Sequence, residues 1–172
     1  MAPCSLRPYR MDDAEALWEA ARESVPEVSP WLSWCHAQYS VAESVEWIRS
    51  RAPLAAQGLE YTFAIVDGDG RYLGGCGINQ VNRIHRFGNL GYWVRSSATG
   101  RGVATEAVRQ AAAFAFRETD LERLEIVCAV GNGRSQRVAE RAGAVREGVL
   151  RCRLLIHGKP VDAVLYSLVR GA

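Results

Sequence analysis

Residues 91–107 hold the residue types best spaced for chemistry: Gly91-Tyr92-Trp93-Val94, a short connection, then Thr99-Gly100-Arg101-Gly102-Val103-Ala104-Thr105-Glu106-Ala107. The run reads as strand, glycine turn and helix start. Small residues at Gly100, Gly102 and Ala104 let backbone N–H groups approach a ligand without interference from a Cβ. The free N–H groups and the dipole of a helix start favour an anion such as a pyrophosphate, and Arg101 adds a formal charge beside them. The glycines alone suit an ordinary loop feeding a helix about as well. Two other phosphate loops do not fit. A Walker-type loop ends in Gly-Lys-Ser/Thr, and no such triplet follows. The dinucleotide fingerprint G-x-G-x-x-G finds glycines at 100 and 102 but Thr105 in the third place, outside the alternating βαβ order it requires.

Other reactive residue types are scattered. Cys4, Cys35, Cys76, Cys128 and Cys152 are odd in number and form no C-x-x-C pair, which points to a reducing compartment and away from a disulfide framework or thiolate cluster. Cys76 and Cys128 lie in apolar strands and read as small buried hydrophobes. His36, His85 and His157 sit in three unrelated segments, and no His/Cys/Asp/Glu set has metal-ligand spacing. No metal is expected. Glu125, on the strand after the long helix, could face a cleft as a general base or simply face solvent. Trp31, Trp34 and Tyr39 could form the wall of a concave acceptor site, or they could roof the core.

These residues need elements to position them. A helix is expected from Asp12 to Ser24, with Asp12 as its cap and Ala14, Leu17, Trp18 and Ala21 on one face. A second starts at Ser40 with Glu43 completing a capping box, carries Val41, Val45, Ile48 and Ala52, and closes at Pro53. Glu60–Asp67 and Arg71–Gln80 flank Gly68-Asp69-Gly70 as a hairpin. Phe87–Val94 is a strand, Thr99–Glu118 a turn and strong helix, and Arg123–Val130 an apolar strand suited to mid-sheet. Ser135–Ala142 is a short helix with Gly143 at its C-cap. Val145–His157 and Val161–Val169 flank a second turn, His157-Gly158-Lys159-Pro160. The order β, α, α, β, β, β, α, β, α, β, β predicts an α+β fold with a mixed, largely antiparallel sheet and one βαβ crossover.

Composition sets outer limits. The chain has 172 residues with 48% apolar and 23% charged content, which suits one globular domain over 1–172. Twenty-one basic against nineteen acidic residues leave +2, too little to mark nucleic acid as a partner. No apolar run approaches the roughly 20 residues of a membrane span. Met1-Ala2-Pro3-Cys4-Ser5-Leu6-Arg7 lacks the apolar stretch of a signal peptide, so a cytoplasmic location is expected.

The run GYWV…TGRGVATEAV, followed by Asn132-Gly133-Arg134-Ser135 and Ala142-Gly143-Ala144, resembles the GNAT superfamily of acyl-CoA-dependent N-acyltransferases. Within it the chain is similar to the RimJ/RimL branch, which acetylates N-terminal α-amino groups of ribosomal proteins and also includes small-molecule enzymes. The likeness spans nearly the whole chain, from Leu6-Arg7-Pro8 through Trp31-Leu32-Ser33-Trp34 to Glu147-Gly148-Val149-Leu150-Arg151 and Asp162-x-x-x-Tyr166-Ser167-Leu168. Gly102 and Ala104 match the small positions of the family's Gln/Arg-x-x-Gly-x-Gly/Ala pattern, while Thr99 departs from its first place. Ala144 departs too, where relatives usually carry Phe.

The resemblance implies acetyl-CoA as donor. It implies that residues 99–105 (Thr99, Gly100, Arg101, Gly102, Val103, Ala104, Thr105) hold the pyrophosphate. Tyr92, Trp93 and Val94 then lie on a splayed strand edge that pairs with the pantetheine arm. Asn132 is expected near that arm and Ser135 near the thioester sulfur. Acyl transfer to an amine needs a neutral amine, a stabilised oxyanion and a proton for the leaving thiolate. A backbone N–H near Val94 suits the oxyanion, and Ser135 suits the sulfur, although Ser at a helix start is also an ordinary N-cap. The expected function is N-acetyl transfer by direct attack in a ternary complex, onto a protein N-terminus, a ribosomal protein or a small amine. A homodimer is compatible with it. The rival is a non-catalytic acyl-CoA-binding sensor.

Overall fold

The computed structural model describes residues 3–171. Met1, Ala2 and Ala172, included above in the domain and in the leader reading, lie outside the described residues. The elements are β1 (Ser5–Pro8), α1 (Ala14–Val28), α2 (Val41–Ala56), β2 (Tyr61–Val66), β3 (Tyr72–Asn82), β4 (Phe87–Val94), α3 (Val103–Glu118), β5 (Arg123–Ala129), α4 (Gly133–Arg141), β6 (Val145–Ile156) and β7 (Lys159–Val169). They follow the expected order, with short 3₁₀ turns added before α1 and after β4.

The strands form one seven-stranded sheet in the order β1-β2-β3-β4-β5-β7-β6. Every neighbouring pair is antiparallel except β4 and β5, which α3 connects as the single crossover. The fold is therefore α+β, mixed and largely antiparallel. Alternation decides which helices cover which face. Ile65, Ile78, Leu90, Leu124, Ile126 and Cys128 pack against α3 and α4. Ala64, Val66 and Tyr72 turn the other way, onto Ala14, Leu17, Ala20 and Ile48 of α1 and α2. Among the described residues no helix is long and apolar enough to cross a membrane.

Three expected boundaries move. Asp12 is exposed and caps nothing; Asp13 holds the N-cap position of α1 without a side-chain cap, its carboxylate instead accepting from the Arg10 N–H (2.8 Å) at the start of the preceding turn and pairing with Arg7 (2.6 Å). Neither proline ends its helix. α1 runs through Pro26 to Val28, whose buried side chain rewards the extra turn, and the Ser29 N–H still reaches Val25 O at 3.0 Å. α2 passes Pro53, where the missing N–H sits in a final turn open to water, and Gln57 N–H still reaches Pro53 O at 3.2 Å. A proline removes only its own N–H and crowds the preceding turn, so both are tolerated near helix ends. The second hairpin is also tighter than expected. His157 and Gly158 alone make the turn, at φ 48° and 74°, and Lys159 and Pro160 already belong to β7.

Arg123 ties the sheet together on the face away from α3 and α4. Its guanidinium forks onto Glu147 of β6 at 2.6 Å through each nitrogen, and Ser167 of the intervening β7 donates to the same carboxylate at 2.6 Å. These contacts hold the Glu147 carboxyl at about 2, below its ordinary 4.5. A carboxylate depressed on folding adds stability that is complete above its unfolded value and fades as pH falls towards the folded one. Urea unfolding followed from pH ~5 to ~2 should lose stability steeply in the intact protein and less steeply in Glu147→Gln. Parallel acid limbs would mean the fork contributes nothing.

Candidate active site

β4 and β5 pair over only three rungs, Phe87–Arg123, Gly88–Leu124 and Asn89–Glu125. Beyond them β4 keeps its partners in β3 up to Val94, and β5 keeps its partners in β7 up to Ala129. The two strands part and leave a gap in the middle of the sheet. The Arg95 N–H bonds Leu73 O on the β3 side at 2.8 Å. Alternation along the strand then turns the N–H groups of Tyr92 and Val94 towards the gap. Unpaired peptide groups of this kind demand a partner from water or a ligand.

The glycine turn lies just past the open end of β4. Gly100 and Gly102 have φ of 76° and 79°, and a Cβ on either would meet nothing within 4 Å. Gly102 is the N-cap of α3 and brings no side chain to its first N–H groups. The Val103 side chain is buried in the core, so only its backbone faces out. Thr99 folds its hydroxyl back onto Ser96 O at 2.9 Å. A pocket of about 440 Å³ opens beside the turn, lined by Arg101, Gly102, Thr105, Glu106, Arg109 and Arg141. Among the described residues none of these three arginines has a carboxylate partner. Free N–H groups, room where a Cβ would stand and unpaired guanidinium groups fit a polyphosphate.

On the β5 side of the gap, Asn132 and not Ser135 caps α4: Asn132 Oδ1 accepts from the Ser135 N–H at 3.1 Å. The helix starts two residues earlier than expected, and the Ser135 hydroxyl is spared from capping. Instead it lies 3.0 Å from the Tyr92 hydroxyl and 3.2 Å from the Cys128 thiol. Tyr92 reaches across from β4 and also donates to Ser135 O at 2.9 Å. Burial pushes the Tyr92 phenol far above its usual range and raises the Cys128 thiol as well, so both keep their protons. The sequence reading missed this cluster. Alternation from Leu90 to Tyr92, which puts the phenol on the α3/α4 face, was the available signal.

Glu125 points to the opposite face from Cys128 and Ser135. Its Oε1 lies 3.0 Å from Arg123 Nε, inside the ion-pair group described above. It stands at the foot of the gap, on the face that Trp93 shares, in an ion pair with Arg123.

The aromatic residues divide. Trp34 stands 37% exposed, edge-on to Trp93 at 5.2 Å and to Tyr39 at 5.5 Å. Trp31 lies against Gly131, just beyond β5. Tyr39 is buried behind them, taking a hydrogen bond from the Ser44 hydroxyl (3.1 Å), and serves as core instead of wall. The Trp93 ring joins this acceptor-side group although its backbone belongs to the gap. It fits because β3 opposes it with glycine: a Cβ on Gly75 would sit 2.9 Å from Trp93 Nε1 and 2.6 Å from Tyr9 Oη. The segment carrying Trp31 and Trp34 is tethered by His157, whose N–H donates to Ser33 Oγ (3.1 Å) and whose imidazole donates to Ser29 O (2.7 Å).

Comparison with known proteins agrees with this geometry. Residues 4–145 match the Acetyltransferase (GNAT) domain family. The chain is 31% identical over 171 residues to YdaF of Bacillus subtilis (strain 168), provisionally named a ribosomal N-acetyltransferase, covering 96% of this chain and 91% of that one. It is 25% identical over 138 residues to the ribosomal-protein-serine acetyltransferase of Escherichia coli (strain K12), covering 80% and 76%. Among solved structures, RimJ of Mycobacterium smegmatis in complex with CoA-disulfide superposes with a TM-score of 0.89 at 28% identity, over 96% of this chain and 81% of that one.

Gly102→Glu should abolish CoA binding, because it sets a side chain and a negative charge where phosphate would lie. Calorimetry with CoA reads it directly, and unchanged affinity would remove the glycine turn from the site.

Proposed function

The chain belongs to the GNAT acetyltransferase family, and we propose that it passes acetyl from acetyl-CoA directly to a primary amine held in the same complex. The observation that carries this reading is the gap between β4 and β5, with free N–H groups on one side, Ser135 on the other and the glycine turn at its mouth. Residues 100–105 and the pocket arginines would hold the phosphates. The Tyr92 and Val94 backbone would pair with the pantetheine amides, and the Asn132 amide nitrogen would join them.

When bound, acetyl-CoA supplies an activated acyl group and a thiol leaving group. The chain has three tasks in return. The Val94 N–H offers a fixed donor to the oxygen that becomes negative during attack. Ser135 Oγ–H gives a proton to the departing sulfur. The aromatic surface of Trp31, Trp34 and Trp93 receives the amine. The proton leaving the amine passes into water, directly or by way of Glu125.

We infer that the acceptor is an N-terminal α-amino group of a protein, with ribosomal proteins the leading class. The names of the Bacillus subtilis and Escherichia coli relatives support this. The setting proposed is cytoplasmic, without nucleic acid or membrane, and a homodimer fits it.

Thiol release from acetyl-CoA, measured with short peptides bearing free N-terminal Ser or Ala, amino acids and aminoglycosides, tests the proposal. Peptides should stimulate release. Stimulation by a small amine alone would move the acceptor class, and tight CoA binding with no turnover would make the chain a sensor. Ser135→Ala should cut turnover by about a hundredfold while acetyl-CoA affinity stays within about twofold. Equal losses in both would make Ser135 a binding residue.

A further inference from the structure

Ser135 is held at three of its atoms. Asn132 takes its N–H, Tyr92 donates to its carbonyl, and its hydroxyl oxygen lies between the Tyr92 phenol and the Cys128 thiol. The second and third of these contacts raise a question of proton count. Tyr92 has one phenolic proton and two acceptors on the same residue, Ser135 O at 2.9 Å and Ser135 Oγ at 3.0 Å.

We propose that Tyr92 is a positioning residue for acetyl transfer: its phenol directs the Ser135 hydroxyl at rest and stabilises the Ser135 oxygen once that hydroxyl has given up its proton. The proposal rests on the reading of Ser135 as the proton donor to sulfur. At rest the phenolic proton lies on Ser135 O, whose position the helix fixes. Tyr92 Oη can then only accept, so Ser135 Oγ–H points at it, and the Cys128 S–H, protonated in its buried site, donates to Ser135 Oγ from the other side.

When the carbon–sulfur bond of the thioester breaks, Ser135 Oγ–H turns to the sulfur and its proton goes there. The phenolic proton then swings from Ser135 O to Ser135 Oγ by rotation about the phenol C–O bond. No heavy atom needs to move, because both distances are already close to 3 Å. The amine nitrogen has meanwhile formed the new carbon–nitrogen bond and lost one proton to water, and one proton from water restores Ser135. The sulfur gains one proton, the nitrogen loses one, and Tyr92, Cys128 and Ser135 finish as they began. Burial serves this arrangement, since a phenol that ionised would have no proton to swing.

A phenol acting only as a strut between β4 and α4 would leave a different signature. Tyr92→Phe keeps the ring and its packing and removes one oxygen. With acetyl-CoA and a hexapeptide bearing N-terminal Ser, or with acetyl-CoA hydrolysis alone, it should lower kcat about tenfold and change the acetyl-CoA KM by less than about twofold. Placed on Ser135→Ala, it should lower turnover no further, because the partner it serves is gone. An unchanged kcat, an equal loss in the Ser135→Ala background, or a KM that rises in step with the loss would each overturn the proposal. Full turnover in Ser135→Ala would instead overturn the donor reading on which it stands. Thermal melting of Tyr92→Phe separates the strut from the proton device: a melting shift with normal kcat supports the strut alone.

Discussion

The parting of β4 and β5 is the constraint around which the molecule is arranged. A strand in mid-sheet normally satisfies its peptide groups on both edges, and a buried, unpaired N–H is costly. Here β4 has partners on one side only for its last five residues, Leu90 to Val94. The divergence stays open because each strand is anchored elsewhere. β4 is locked to β3 and continues into an Arg95 that pairs with Glu23 of α1. β5 is locked to β7 and continues into the Asn132 cap of α4. Closing the gap would mean breaking one of these anchors, so the sheet holds an opening shaped for a ligand's amides.

Alternation then gives consecutive residues opposite duties. Tyr92 sends its side chain to the α3/α4 face, where it meets Ser135, and Trp93 sends its ring to the α1/α2 face, where it meets Trp34 and Tyr72. Their backbones border the same gap. A single strand therefore contributes to the donor side, the acceptor side and the edge between them. Gly74 and Gly75 on β3 permit it: a Cβ on Gly74 would come within 2.2 Å of Trp93 O. Those two glycines carry no chemistry, yet the acceptor surface depends on what they leave out.

Most of the fold was legible in the sequence because its signals are local. The Ser40–Glu43 capping box forms with both reciprocal hydrogen bonds, at 2.9 and 3.3 Å. The β2–β3 hairpin, β4, α3 and β5 sit within a residue or two of expectation. The glycine turn was readable because positive φ and a bare N-cap need glycine. What stayed hidden is non-local. Strand divergence does not disturb the two-residue period, so nothing in Phe87–Val94 marks where β5 departs. The first helix was expected to stop at Ser24 and Pro53 was read as closing the second, although the turns beyond had enough partners to persist. The family resemblance supplied Ser135, but its link to Tyr92 spans 43 positions and appears only after folding. Glu125 was a candidate by type, and its pairing with Arg123 two residues away, on the same face of one strand, is a contact that residue type alone does not show.

The His157 tether has a topological consequence. From β4 the chain is joined through Arg95 and Glu23 to α1, from α1 to the segment at Ser29–Ser33, from there through His157 to the β6–β7 turn, and through β7 back to β5. The opening is thus an eyelet and not a notch, bounded by a continuous hoop of strand, helix and loop. An eyelet admits a thread end-on and refuses it sideways. A slender chain can pass through and meet a second molecule on the far side, while bulk at either end stays on the face where it arrived. The bore is set by two hydrogen bonds between loops, so side-chain changes at Ser33 or His157 would alter its calibre without touching any reacting group.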